Sequence, residues 1–134
     1  MRNPINTSGE ILELEVKEYL HTKGIPFTHS PKGPRADIDF ILHTGKEPLY
    51  IECHNQNGKG SEDEKIPHKI WKYWNKYGMK TIYIVKGKYN GFGKGVMEHI
   101  EWMGRTCNIQ IHIISVNELK KVLNRVERKH NQFF

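Results

Sequence analysis

Cysteine is scarce in this chain: Cys53 and Cys107 are its two copies among 134 residues. They stand far apart and match no zinc-binding spacing, and Cys53 sits inside an apolar run, where a buried free thiol is expected. No apolar run approaches the ~18 residues of a membrane span, and Met1–Glu10 has no apolar centre, so neither a span nor a signal peptide is expected. The expectation is a reduced, cytoplasmic protein. The P-loop pattern G-x-x-x-x-G-K-[ST] is missing, which leaves nucleotide hydrolysis without support. Helix-turn-helix and zinc-finger patterns are missing too, so no reader of base sequence is evident. There is no repeat, low-complexity tract or internal linker. The chain reads as one domain over 1–134, with a frayed tail at 129–134.

What is abundant is positive charge. Twenty-one Lys plus Arg oppose fifteen Asp plus Glu, for a net charge of +6 and a pI near 9.3. A basic balance of this size favours a polyanionic partner, nucleic acid before membrane.

Thr7-Ser8-Gly9-Glu10 reads as a capping box, followed by helical periodicity over Ile11–Lys23 with Leu12, Val16, Tyr19 and Leu20 as its buried stripe and Gly24 as its stop. A short strand at Ile25–Thr28 and a loop at His29–Arg35 lead into "ADIDFIL" (residues 36–42). Its alternation sets Ile38, Phe40 and Leu42 on one face and Asp37, Asp39 and Ile41 on the other. After a turn at 44–48, Leu49–Cys53 alternates again, with Leu49, Ile51 and Cys53 toward the core and Tyr50, Glu52 and His54 on the opposite face. A second capping box at Ser61–Glu64 opens a helix to about Tyr77, where Pro67 marks a restart or kink. Strands at Thr81–Val85 and Ile109–Ile114, a helix at Val96–Gly104 and a capped helix at Ser115–Arg128 complete the order. The fold class is α/β, a mixed central sheet flanked by helices.

The acidic residues raise a question of spacing. If 36–42 and 49–53 pair as a hairpin with Leu42 opposite Leu49, then Asp39 faces Glu52 and Asp37 faces His54. Cross-strand neighbours lie ~4.5–5.5 Å apart at Cβ, where two carboxylates repel. A hard divalent ion between them reverses the sign, since Mg²⁺ takes one or two carboxylates plus water and substrate phosphate. The bland alternative is a solvated acidic sheet face. A slip of two residues would bring in Asp37 for Asp39.

The run "ADIDFIL", a short turn, then "YIECHNQ" and "GSEDEK" resembles the PD-(D/E)XK nuclease superfamily, the restriction-endonuclease-like fold. The resemblance covers about residues 9–86 and implies a sandwich with an α-β-β-β-α-β core. It implies that Asp39 or Asp37, with Glu52, holds Mg²⁺, with Mn²⁺ able to substitute. It also implies that Glu13 on the first helix assists. His54 departs from the pattern, standing where the family has lysine. The ring would orient or deprotonate the attacking water, or else mark a protein that binds without cutting. Gln56 continues the same face, and the resemblance implies a place for it near the metal or scissile phosphate.

Basic residues cluster around these segments. Lys65, Lys69, Lys72 and Lys76 form one stripe of the second helix, interleaved with Trp71, Tyr73, Trp74 and Tyr77. Lysine stripes are ordinarily solvated helix faces, yet this helix leaves directly from the acidic strand. "VKGKYNGFGKG" (85–95) is a glycine-rich basic loop carrying Lys86, Lys88 and Lys94. Lys32 and Arg35 precede the hairpin, and Lys59 follows it. Such contacts give salt-dependent, largely sequence-independent affinity for a phosphate backbone. A further patch at Lys120, Lys121, Arg125, Arg128 and Lys129 is a solvated helix end in the simpler view. Together these features lead to the expectation of a Mg²⁺-dependent endonuclease of double-stranded or branched DNA, of restriction-like, homing or junction-resolving type. Double-strand cutting would need a homodimer or higher homo-oligomer, and the resemblance implies 5′-phosphate and 3′-hydroxyl ends. A non-catalytic DNA-binding protein on the same fold is the alternative.

Overall fold

A computed structural model describes residues 8–30, 37–45, 47–54, 63–87 and 92–132, with side chains for 11–125 of these. Helix α1 (Ser8–Lys23) ends at Gly24, whose φ of 68° is a left-handed value that favours glycine. Strands β1 (Phe27–His29), β2 (Phe40–Leu42) and β3 (Leu49–His54) follow. The remaining elements are α2 (Ile66–Tyr77), β4 (Thr81–Lys86), α3 (Lys94–Cys107), β5 (Gln110–Ser115) and α4 (Val116–Gln132).

The five strands form one sheet in the order β1-β2-β3-β4-β5. Pairing is antiparallel from β1 through β3 and parallel from β3 to β5. The parallel half follows from the chain itself, because α2 and α3 are the crossovers that parallel neighbours require. The hairpin register sets Leu42 opposite Leu49 and Phe40 opposite Ile51, the pairing supposed from the sequence and not the slip of two.

Helices cover both faces. On one, Leu12, Val16 and Leu20 of α1 and Leu119 and Leu123 of α4 pack on Phe40, Leu42, Ile51 and Val85. On the other, Ile66, Ile70 and Tyr73 of α2 and Ile100 and Met103 of α3 pack on Tyr50, Ile82 and Ile84. Both faces of β3 are therefore buried, which rules out the solvated acidic face of the bland alternative. That places Glu52 and His54 in an interior.

One local expectation also changes. β2 begins only at Phe40, and Ile38 packs with Tyr50 on the α2 side instead of sharing a face with Phe40 and Leu42. Of the expected restart or kink at Pro67, the restart is found: the proline lies in the first turn of α2, where its missing N–H costs nothing. The last helix runs from Val116 to Gln132.

Candidate functional site

The hairpin ladder stops at Phe40, and one residue earlier the side chains take over from the backbone. The Asp39 N–H donates to Glu52 Oε1 at 3.2 Å, and the Cys53 N–H donates to Asp39 Oδ2 at 2.7 Å. Each carboxylate thus inserts toward the opposing strand where β2 and β3 part. Asp39 is 1% exposed and Glu52 2%. Buried carboxylates require partners, and α2 supplies two for Glu52. The Tyr73 hydroxyl donates to Oε1 at 3.3 Å, and Lys69 Nζ lies 3.5 Å from Oε2. Burial, then the negative charges of Glu52, Asp39 and Asp37, push the Tyr73 phenol far up, so it stays a donor at any working pH.

Asp37 takes no part in this pairing. The strand has not begun at that point, so it does not face His54 as a longer strand would require. Its carboxylate turns to the end of α2, where Lys76 and the Tyr77 hydroxyl both donate to it. The structure brings Asp39 together with Glu52 and leaves Asp37 apart.

His54 lies two residues beyond Glu52 on the same face of β3. Its Nε2 is 2.6 Å from Oδ1 of Asp63, just ahead of α2. Lys86 is directly across on β4, by the His54–Lys86 pairing of the parallel ladder. Lys86 is 3% exposed, with Nζ 3.7 Å from the same Asp63 oxygen and 4.2 Å from the centre of the Phe92 ring. The expected position of Lys86 in an open loop is corrected: it ends a central strand, inside the protein. Burial holds its ammonium below the ordinary lysine range, with Asp63 opposing. Burial likewise pulls the His54 ring below its ordinary value, against the pull of Asp63 and with the help of Lys86.

Glu13 is buried on α1, and its Oε1 lies 3.1 Å from His29 Nε2. The His29 ring stacks on Phe40, centroids 4.7 Å apart, so Glu13 is tied to the strand residue next to Asp39. Among the expected nucleic-acid contacts, Lys65, Lys72 and Lys94 are exposed, while Lys69 and Lys76 are drawn to Glu52 and Asp37. Gln56, Lys32, Arg35, Lys59 and Lys88 lie outside the described residues. Sequence reasoning missed Asp63, Tyr73 and the buried state of Lys86. The acidic run "SEDEK" before an apolar helix was the one signal pointing to Asp63.

Asp39 and Glu52 offer only oxygen donors, a set that suits a hard divalent cation. Among the described residues no group of three or more His, Cys, Asp or Glu could hold a metal ion. Two carboxylates with the rest of the shell left to water and substrate is the arrangement Mg²⁺ accepts. The pair therefore fits such an ion.

A five-stranded mixed sheet sandwiched by helices is consistent with a PD-(D/E)XK nuclease fold. The profile of the PD-(D/E)XK nuclease superfamily domain matches residues 5–130, and the chain belongs to that superfamily. Its members are generally nucleases that act on nucleic acid and typically use divalent metals. Comparisons with curated proteins and with solved structures return no match. No helix among the described residues is long and apolar enough to cross a membrane.

Proposed function

We propose that this protein is a Mg²⁺-dependent DNA endonuclease whose metal ligands are Asp39 and Glu52. The observation that carries this reading is the reciprocal engagement of the two buried carboxylates, with Glu52 Oε1 3.2 Å from the Asp39 N–H. Two like charges buried side by side repel, a cost that a divalent ion between them would reverse. A bound divalent ion would polarise the scissile phosphate and lower the pKa of a water. The residues themselves contribute position: the Cys53 N–H fixes Asp39, while Tyr73 and Lys69 fix Glu52. His54, beside them on β3, orients the attacking water and accepts its proton. Exposed lysines such as Lys72 and Lys94 hold the duplex by its phosphates. One such centre cuts one strand, so double-strand cutting takes two copies of the chain.

The test is cleavage of supercoiled, linear and four-way-junction DNA with Mg²⁺ or Mn²⁺. The unmutated protein should cut at least one substrate, and Glu52→Gln should cut none while still binding. If the unmutated protein leaves all three intact, the reading fails. His54 favours a second reading, a DNA-binding protein that has lost turnover, because its ring occupies the motif lysine's place. Cleavage gained only in His54→Lys would establish that alternative.

A further inference from the structure

We propose that Asp63 is a positioning residue for His54, anchored by Lys86, and that it holds the ring so that Nδ1 is the site's proton acceptor. This rests on the nuclease reading and names the atom that would carry out its proton step. An ionised carboxylate only accepts hydrogen bonds. At 2.6 Å from Asp63 Oδ1, His54 Nε2 must therefore be the donor, which leaves the lone pair of the neutral ring on Nδ1. A histidine fixed through only one nitrogen still swings with its partner. Here the partner is itself held, because Lys86 Nζ approaches the same Oδ1 at 3.7 Å.

The surroundings restrict all three groups. Side-chain exposures are 8% for His54, 14% for Asp63 and 4% for Lys86. Phe92 covers the assembly, its ring 5.7 Å from that of His54 and 4.2 Å from the Lys86 ammonium. Parallel pairing of β3 with β4 fixes the spacing of His54 and Lys86 through the backbone. A half-buried carboxylate between a lysine and a histidine is weak evidence of stabilisation. Orientation of the ring is the return that accounts for it.

The test pairs ¹⁵N NMR of the His54 ring, recorded where the imidazole is neutral, with cleavage kinetics. The unmutated protein should show the Nε2–H form. In Asp63→Asn the amide oxygen turns to Lys86 and the amide N–H₂ to the ring, so the Nδ1–H form should appear. That variant should lose kcat by on the order of 100-fold with little change in KM. Asp63→Glu should keep the Nε2–H form and recover most of the rate. Lys86→Met should lose roughly 10-fold. An Nδ1–H ring in the unmutated protein, or full kcat in Asp63→Asn, overturns the proposal, and full kcat in Lys86→Met removes the anchor. Failure of the nuclease reading is told apart from these by the unmutated protein alone: if it cuts no nucleic acid, that reading falls and takes this inference with it.

Discussion

Asp39 and Glu52 show how chemistry and stability compete at single side chains. Two nearly fully buried carboxylates on adjacent strands repel, and hydrogen bonds from Cys53, Tyr73 and the Asp39 N–H work against that repulsion. Lys69 adds little, because it is a third exposed and 3.5 Å away. Glu52→Gln keeps the acceptor oxygen and removes one charge. It should stabilise the metal-free protein by about 1 kcal/mol, a rise of roughly 3–5 °C in Tm, while abolishing cleavage. Thermal unfolding in EDTA decides it, and a lowered Tm would mean that the pair stabilises the fold. Asp37 behaves in the opposite way. Burial raises its carboxyl, but hydrogen bonds from Lys76, Tyr77 and the Ile38 N–H prevail and hold it below the ordinary value of 3.8. A depressed folded-state pKa contributes stability above the unfolded value, lost as pH falls through the folded one. Asp37→Asn should therefore lower Tm throughout the neutral range, with the gap closing below about pH 3.8. A gap that widens in acid would contradict this assignment.

The elements differ in how far the sequence alone reveals them. The last helix was legible because its signals are local. Ser115 Oγ accepts the Glu118 N–H at 3.1 Å, and Glu118 Oε1 accepts the Ser115 N–H at 2.9 Å, a capping box visible three residues apart. Ser115→Ala should cost about 1 kcal/mol, read from urea unfolding, and a loss under a few tenths would show the box to be idle. The hairpin register was legible only in part. A slip by one residue would turn Leu42, Leu49 and Ile51 from their shared interior, but a slip of two keeps every face. The pairing of Leu42 with Leu49 was therefore a supposition, which the structure bears out. β2 itself was not legible. "ADIDFIL" alternates over seven residues, yet the strand spans three, because Lys76 and Tyr77, some forty positions later, pull Asp37 away. Asp39 and Glu52 followed from the register. Asp63 and Lys86 did not, since their meeting with His54 depends on a parallel pairing across a whole helix, and residue spacing carries no trace of that.

For the molecule taken together, the relevant quantity is where the excess positive charge remains available. The net charge of +6 overstates a binding surface, because individual lysines are already engaged. Lys86 is buried beside Asp63, Lys69 approaches Glu52, and Lys76 is bound to Asp37. Lys72 and Lys94 are exposed at the surface, on α2 and at the start of α3, the two helices that cover the His54 face of the sheet. A lysine that neutralises a phosphate releases a counterion, and each one lost lowers the slope of log K against log salt by about 1. Lys72→Ala and Lys94→Ala should each flatten the salt dependence of duplex binding by that amount. Lys76→Ala should leave the slope nearly unchanged, since Asp37 has already claimed its charge. Filter binding across a salt series separates these outcomes. Equal slopes for all three variants would mean that DNA lies on another surface of the protein, away from Asp39 and Glu52.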